Sequence, residues 1–458
     1  MEQKNNAAIR RIIKEVLSVV KPTDEEVKHA IQQANLLMGR LRAAAPKSVE
    51  IIMAGSAARG TQTRGNSDID IFLLFPKTSN ERSAEAKGLE IAKSIVDKKR
   101  GESFEIRYAE HPYLKLFMKN EGISADIVPA FKITDSSERV SAVDRTQLHN
   151  IFVNSRLTQE QKDEVRVLKS FMRFHNVYGA EARTQGFSGY LCELLIAHYG
   201  SFVSVLKAFA ESKPPIVISF DRKENQGDAV RKFGSSLIVI DPTDKNRNVA
   251  AAVSRESLSH FALASRKFLS KPSIEYFYGR QYSDKEASSR LMELNSRMRT
   301  DLYSISVKLP DISEEILWQQ ISKLDAALRK ELSNNGFEVV LHLKEVSGGQ
   351  GALAYFINSS KRGSHEVKGP SYVMKENFEA FELAHRQALA FFIEEDHAVA
   401  IEPVKLQTPY SAIEWLLKHG GIQLPSYIKK GNIKISKGKP GEAIAKLLYS
   451  DYMRLTYI

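Results

Sequence analysis

The sequence predicts a multidomain α+β protein: a head of mixed sheet with packed helices, a mostly helical central domain, and an α/β C-terminal region. Three observations carry that prediction. The 458 residues exceed what one hydrophobic core organises, since a domain takes roughly 100–200. Short apolar runs bounded by turn residues alternate with helical periodicity at the head, whereas helical periodicity dominates the centre. Beyond about Pro272 strands and helices mix again. The boundaries read as 1–145, 146–271 and 272–458, the last containing a tail-like module over about 313–387.

Residues Asn5 to Val20 are helical in pattern, and Pro22-Thr23-Asp24-Glu25-Glu26 supplies a turn, a cap and first-turn acids for a second helix running to about Ala45. Val49–Ala54 is a short apolar strand, followed by a Gly/Ser/Arg/Thr-rich loop and a second strand, Ile69–Phe75, ended by Pro76. Glu81–Lys99 is an amphipathic helix. Phe104–Glu110, Tyr113–Met118 and Ile123–Val128 are strands, the last two joined as a hairpin at Lys119-Asn120-Glu121-Gly122. From about Ser141 to Lys271 helices are interrupted by one strand, Leu237–Asp241, closed by Asp241-Pro242. Further on, Tyr303-Ile305-Val307-Leu309 alternates as a strand does, and Ser313-Glu314-Glu315 opens a helix. Phe337–Leu343 and Leu353–Ile357 are strands joined through a flexible turn, Ser347-Gly348-Gly349-Gln350-Gly351.

Composition narrows the class. No stretch approaches the roughly 20 apolar residues that span a bilayer, and Met1 to Arg11 is polar and mixed in charge, unlike a signal peptide. A cytoplasmic protein is expected. Cys192 is the only cysteine, which excludes an internal disulfide and a cysteine-based zinc site. In Tyr190-Leu191-Cys192-Glu193-Leu194-Leu195-Ile196 it reads as an inert thiol on the apolar face of a helix. The formal net charge of +11 suggests a polyanionic partner, because clustered Lys and Arg release counterions from phosphates. Lys429, Lys430, Lys434, Lys437, Lys439 and Lys446 form either a phosphate-facing surface or a solvated charged tail.

The chemistry concentrates in Gly55-Ser56-Ala57-Ala58-Arg59-Gly60-Thr61 and, after a short loop, Ser67-Asp68-Ile69-Asp70-Ile71. Side chains alternate along a strand, so Asp68 and Asp70 share a face while Ile69 and Ile71 enter the core. Two adjacent carboxylates repel and raise each other's pKa unless a cation lies between them. Asp126, in the apolar strand Ser124-Ala125-Asp126-Ile127-Val128, supplies a third. Three carboxylates suit Mg²⁺, and two such ions activate a 3′-hydroxyl and stabilise a pyrophosphate leaving group. No P-loop is present. Gly55-Ser56 lets backbone N–H groups and a hydroxyl approach triphosphate oxygens, with Arg59 adding charge. Taken singly, Gly55-Ser56 is an ordinary turn and Asp-x-Asp a solvated edge-strand pair.

These residues resemble the signature of polymerase β-like nucleotidyltransferases: Gly-Ser, then Asp/Glu-x-Asp, then a distant third Asp. Within that superfamily the chain resembles archaeal, class I CCA-adding enzymes, tRNA nucleotidyltransferases. The likeness runs through Arg107-Tyr108-Ala109-Glu110-His111-Pro112-Tyr113, Ser141-Ala142-Val143-Asp144-Arg145-Thr146, Tyr178-Gly179-Ala180-Glu181, Gly186-Phe187-Ser188-Gly189-Tyr190-Leu191-Cys192-Glu193-Leu194-Leu195, and Asp241-Pro242 continuing to Arg247-Asn248-Val249-Ala250-Ala251. It weakens after Val253 and is lost beyond about Thr408.

The resemblance implies a polymerase β-like head and template-independent addition of C, C and A to the 3′ end of tRNA from CTP and ATP. It implies Asp68, Asp70 and Asp126 as catalytic ligands of two Mg²⁺ ions, with Gly55, Ser56 and Arg59 at the triphosphate. Thr146, His149, Lys169 and Tyr178 fall at positions that contact nucleotide, and Arg247 at the position that reads the incoming base, a role suited to a planar fork of donors. Read alone, His149 is a satisfied helix histidine, Lys169 a solvated lysine, Tyr178 a packing residue and Arg247 a surface arginine. The partner implied is tRNA, held by its acceptor stem and T-loop; family members are often homodimers. Trp318, Tyr355 and Phe356 either offer rings to loop bases or pack a core. The rival functions are another template-independent RNA nucleotidyltransferase, such as a poly(A) polymerase or a partial CC- or A-adding enzyme, and a catalytically silent RNA-binding protein.

Overall fold

The computed structural model describes residues 2–65, 68–77, 80–108, 111–221, 225–278, 282–310, 312, 314–358, 363–403 and 408–455. They fall into two compact units, Met1–Gly279 and Arg280–Ile458. The division read from sequence at 145/146 lies inside the first unit, where side chains from the two segments interlock. Arg166, for example, donates to the main-chain oxygens of Gly60 and Gln62.

In the first unit α1 (Glu2–Val20) and α2 (Asp24–Ala44) precede the sheet. Thr23 opens α2 reciprocally: its hydroxyl accepts from the Glu26 N–H while the Glu26 carboxylate accepts from the Thr23 N–H. Then follow β1 (Glu50–Ala54), α3 (Gly55–Arg59), β2 (Asp68–Phe75), α4 (Glu81–Ser94), β3 (Glu102–Tyr108), β4 (Pro112–Met118) and β5 (Ile123–Phe131). The motif residues Ser67, Ala109 and Glu110 lie outside the described residues. The sheet order is β1-β2-β5-β4-β3, antiparallel except for the parallel pair β2 and β5.

Helix α4 stops short of the expected Lys99 because Asp97 caps a separate turn at Lys98–Arg100, which Gly101 closes at φ 75°. Strand β5 outruns its expected end at Val128 and takes in Pro129. Its neighbour β4 pairs only as far as Ile127, so no partner on that side needs the N–H that proline lacks. One face of the sheet, with Ile69, Ile71, Leu73, Ala125 and Ile127, packs on Leu37 and Leu41 of α2 and Ile91 of α4. Each of these larger side chains contributes about 1.5–3 kcal/mol by burial. The opposite face is apolar at Ala54, Phe72, Leu74 and Ala130 and carries Asp68 and Asp70 at the start of β2.

The rest of the unit is built from α5 (Thr146–Arg156), α6 (Gln159–Phe174), α7 (Gly189–Tyr199), α8 (Phe202–Glu211), β6 (Ile216–Ile218), α9 (Gln226–Phe233), β7 (Leu237–Asp241), β8 (Asp244–Asn248), α10 (Arg255–Ser270) and α11 (Glu275–Tyr278). Thr158, Ser188, Ser201 and Ser254 cap α6, α7, α8 and α10. Phe171 is the centre of the core, with Phe202 and Phe268 edge-on at 5.5 and 5.7 Å. Only β7 was expected as a strand here, yet it is flanked by β6, parallel, and β8, antiparallel. The sequence of β8, Asp-Lys-Asn-Arg-Asn, has no apolar alternation to announce it.

The second unit contains α12 (Asp284–Met298), β9 (Thr300–Lys308), α13 (Glu314–Asn334), β10 (Val339–Ser347), β11 (Gln350–Asn358), β12 (Ser364–Ser371), α14 (Lys375–Ala384), β13 (Ala390–Glu394), β14 (His397–Pro403), α15 (Pro409–Lys418), β15 (Ile433–Lys437) and α16 (Glu442–Leu455). Asp311 and Ser313 lie outside the described residues. The module expected over about 313–387 is divided, because β10 and β11 join β9 and β15 in one sheet, while β12, β14 and β13 form another. The turn expected over Ser347–Gly351 tightens to Gly348 and Gly349, both at positive φ, with Ser347 opposite Gln350. Tyr355 and Phe356 are fully buried, which removes them as rings for loop bases, and Trp318 packs half-buried against the core that holds Tyr355. Of the C-terminal lysines, Lys437 and Lys446 are tied to Asp301 and Asp284. No single described helix is long and apolar enough to cross a membrane.

Candidate active site

The three aspartates share one face because β2 and β5 run parallel in one register. Asp70 lies opposite Asp126, and Asp68 opposite Ser124. Since Ile69, Ile71, Ala125 and Ile127 are buried in the core, alternation turns Asp68, Asp70 and Asp126 to the other face. Burial, reinforced by the carboxylate of Asp126, pushes Asp70 up to about 6, and burial raises Asp126 also. Asp68 goes the opposite way: despite burial, hydrogen bonds from Ser124 and Lys115 hold its carboxyl below the ordinary carboxylate value.

Lys115, in register with Asp126 on β4, donates to Oδ1 of Asp68 at 3.0 Å and Oδ1 of Asp126 at 3.1 Å. Its contacts go to those two residues and leave Asp70 with its carboxylate neighbours. The donor set is carboxylate oxygen throughout, the type of ligand that magnesium takes. A buried carboxyl raised by another carboxylate is the strain a divalent ion relieves. The residues present therefore fit divalent metal.

Residues 55–61 were expected as a loop, but Gly55–Arg59 form the short helix α3, ended by Gly60 at φ 67°. Gly55 itself has φ 70°, and a Cβ on it would overlap Oδ2 of Asp70. The glycine thus brings the start of α3 up to the aspartates. The half-buried Ser56 follows it, its carbonyl accepting from the Thr61 N–H at 2.9 Å.

Arg59 was expected to add charge directly at the triphosphate. Instead it is 7% exposed, with Nε donating to Glu193 at 2.8 Å and Nη1 to Asn150 at 2.8 Å. The cause is Glu193, a fully buried carboxylate on α7 that requires cations around it. The charge of Arg59 still lowers the pKa of Asp70. Lys169 belongs to the same cluster and is no solvated lysine: its buried ammonium donates to the Thr61 carbonyl at 3.1 Å and stands 3.9 Å from Glu193. Burial pushes its pKa down. Half-buried Tyr178 lies beneath the Arg173 guanidinium, 4.5 Å from its ring centroid.

A second polar cluster surrounds Asp241, at the end of β7 and fully buried. Its Oδ2 accepts from His149 Nε2 at 3.1 Å and Arg247 Nη1 at 2.8 Å, and its Oδ1 from the Thr243 N–H at 2.9 Å and the Tyr190 hydroxyl at 3.3 Å. Despite burial these donors hold Asp241 far below the carboxylate range. Burial pushes His149 down, and its ring is stacked on Tyr190 at 3.9 Å. The side chain of Arg247 remains one-third exposed. Thr146 opens α5, half-buried, a turn before His149.

The structure therefore brings together Gly55, Asp68, Asp70 and Asp126, and separately His149 and Arg247, while Arg59 and Lys169 meet on Glu193. Sequence reading gave no role to Lys115, Ser124, Asn150, Tyr190, Glu193 or Asp241. For Lys115 and Glu193 the signal was available: each is a lone charge in an apolar run, the pattern that marked Asp126. Cys192 is the inert thiol expected, fully buried and pushed up to about 12 by burial.

Comparison with known proteins agrees with this geometry. The nucleotidyltransferase domain family matches residues 37–149, the tRNA nucleotidyltransferase second domain 163–278, and the CCA-adding enzyme C-terminal domain 299–435. The CCA-adding enzyme of Methanocaldococcus jannaschii is 37% identical over 347 residues, 73% of this chain and 75% of its own. That of Methanosarcina mazei is 38% identical over 329 residues, 71% of this chain and 70% of its own. That of Archaeoglobus fulgidus is 32% identical over 433 residues, 92% of this chain and 94% of its own. With aspartates in register on a mixed sheet, and relatives alike over most of their length, the chain belongs to the archaeal, class I CCA-adding enzyme family of polymerase β-like nucleotidyltransferases.

Proposed function

We propose that this chain adds C, C and A without a template to the 3′ end of tRNA, taking nucleotides from CTP and ATP and releasing pyrophosphate. The observation that carries the reading is the register of Asp70 with Asp126, with Asp68 on the same face. In each addition the 3′-hydroxyl oxygen bonds to the α-phosphorus, the α–β bridging P–O bond breaks, pyrophosphate leaves, and the hydroxyl gives up its proton. Two Mg²⁺ ions held by Asp68, Asp70 and Asp126 would supply the charge that favours the ionised hydroxyl and offsets that of pyrophosphate.

The remaining work falls to the protein's own groups. Gly55 keeps the main chain close to Asp70, and Ser56, next along α3, faces the triphosphate. Arg59 and Lys169 fix the Gly60–Thr61 segment through Glu193 and Thr61, and act on the nucleotide through that segment. Thr146, His149 and Tyr178 border the nucleotide, and Asp241 orients Arg247 towards the base. Distributed Lys and Arg hold the acceptor stem and T-loop by shape and backbone. The enzyme is proposed to work in the cytoplasm as a homodimer.

Purified protein is to be incubated with tRNA transcripts lacking CCA, CA or A and each labelled triphosphate. Completion of CCA followed by arrest is expected. Unlimited A addition, or failure with CTP, would overturn the reading and favour a poly(A) polymerase or partial enzyme.

A further inference from the structure

Lys115 is a feature of the aspartate face that this chemistry does not use. Its neighbours on β4, Leu114 and Leu116, are fully buried in the core, and the lysine stands on the other side, opposite Asp126. Its side chain is 11% exposed, and the ammonium bridges Oδ1 of Asp68 and Oδ1 of Asp126. An ammonium so enclosed is costly unless paired, and its partners here are two of the three carboxylates read as metal ligands. Arg107 also bears on these carboxylates, but its guanidinium is engaged by Glu105 at 3.1 Å.

A divalent ion held by Asp68 and Asp126 would draw on the same two carboxylates that Lys115 now bridges. Two cations held there repel strongly in a partly enclosed site. The ammonium and the metal would therefore compete for the same pair of carboxylates. We propose that Lys115 is the resident counter-cation of this site, holding Asp68 and Asp126 together before a divalent ion arrives and giving way when it binds, so that Lys115 sets how much metal the enzyme needs. The inference rests on reading the aspartates as metal ligands.

Removing the ammonium has two opposite consequences. Without metal, the carboxylates lose their partner and repel one another. With metal, the ion meets no competitor and binds at lower concentration. A lysine that only packs the sheet gives the first effect without the second.

Lys115→Met keeps the apolar stem and removes the charge. The full-length protein and the variant are melted in EDTA and across a MgCl₂ titration, without nucleotide or RNA. The variant is expected to melt lower in EDTA and to reach half of its Mg²⁺-induced rise at a concentration roughly fivefold lower, or less. Lys115→Gln, with equilibrium Mn²⁺ binding as the readout, is measured alongside and is expected to bind more tightly than the parent. An unchanged or higher midpoint in both variants overturns the inference. Asp126→Ala, which removes one of the two carboxylates that Lys115 bridges, separates the two readings. If its melting temperature still rises with Mg²⁺, the ions bind elsewhere and the metal reading falls, taking this inference with it. If that rise is lost while both Lys115 variants keep the parental midpoint, the Lys115 inference alone falls.

Discussion

The main chain of Gly55 lies so close to the carboxylate of Asp70 that a Cβ on the glycine would overlap Oδ2. Its φ of 70° is also one that L side chains avoid. One residue thus answers a demand of the backbone and a demand of the space before a metal ligand. Gly55→Ala is expected to lower kcat/KM for CTP incorporation by about 100-fold or more, the effect of displacing a reacting geometry by roughly 1 Å. Gly60→Ala is the comparison: φ is 67°, but the nearest atom to a Cβ would be Lys162 Cδ at 3.5 Å, an ordinary contact. Only backbone strain of about 1–2 kcal/mol is expected there, with little change in kcat/KM. Steady-state kinetics and urea unfolding of both variants test the contrast.

The raised pKa of Asp70, about 6, has a definite sign in stability. Because the folded value lies above that of the unfolded chain, ionised Asp70 opposes folding. The penalty is absent below about pH 4, grows as pH rises towards 6, and is complete above it. Asp70→Asn is expected to raise the melting temperature in EDTA at pH 7 and leave it nearly unchanged at pH 4. In the parent enzyme, incorporation is expected to fall as pH drops through about 6, with the acid limb moving to lower pH as Mg²⁺ rises. An acid limb indifferent to Mg²⁺ counts against Asp70 as a ligand.

Asp70→Ala and Asp126→Ala are each expected to abolish nucleotide incorporation while leaving tRNA affinity largely intact, since binding depends on phosphate contacts spread over the surface. Filter binding beside the incorporation assay decides this. Full activity in either variant refutes the metal assignment.

Arg247→Ala is expected to reduce discrimination between CTP and UTP by about tenfold or more, comparable to losing one bidentate base contact, with a smaller effect on RNA affinity. Competition between the two triphosphates on a transcript lacking CCA measures it. Unchanged selectivity removes Arg247 as the base reader.

Glu193→Ala strips the partner from Arg59 and Lys169 inside a closed cluster. The expected cost is about 3–5 kcal/mol of unfolding free energy, the usual consequence of breaking a buried charge pair. Glu193→Gln, which retains an acceptor, is expected to cost less. Chemical denaturation of the three proteins measures the order.

Much of this was legible in the residues. Asp68, Asp70 and Asp126 were identified because period-two alternation in apolar strands sets lone charges apart, and the capping sequence at Thr23 placed α2 closely. Alternation says which face a side chain takes, but not what it touches. Arg59 reads from sequence as a triphosphate contact, and its link to Glu193 is invisible there because that partner lies far along the chain, on a helix whose other residues read as core. Strand β8 was missed because its pairing with β7, not its composition, makes it a strand. The tail-like module was drawn across two sheets because pairing of β10 and β11 with β9 is a long-range relation that no local pattern contains.

Asp241 and Arg247 belong to the two arms of a single β-hairpin, β7 and β8, and are bonded to each other across it. The guanidinium is therefore anchored to its own supporting strand pair through Nη1. Wherever that hairpin moves during successive cycles of elongation, the arginine travels with its anion already attached. The rotational freedom of the side chain is given up once, when the polypeptide folds, and need not be surrendered afresh for each monomer joined to the RNA.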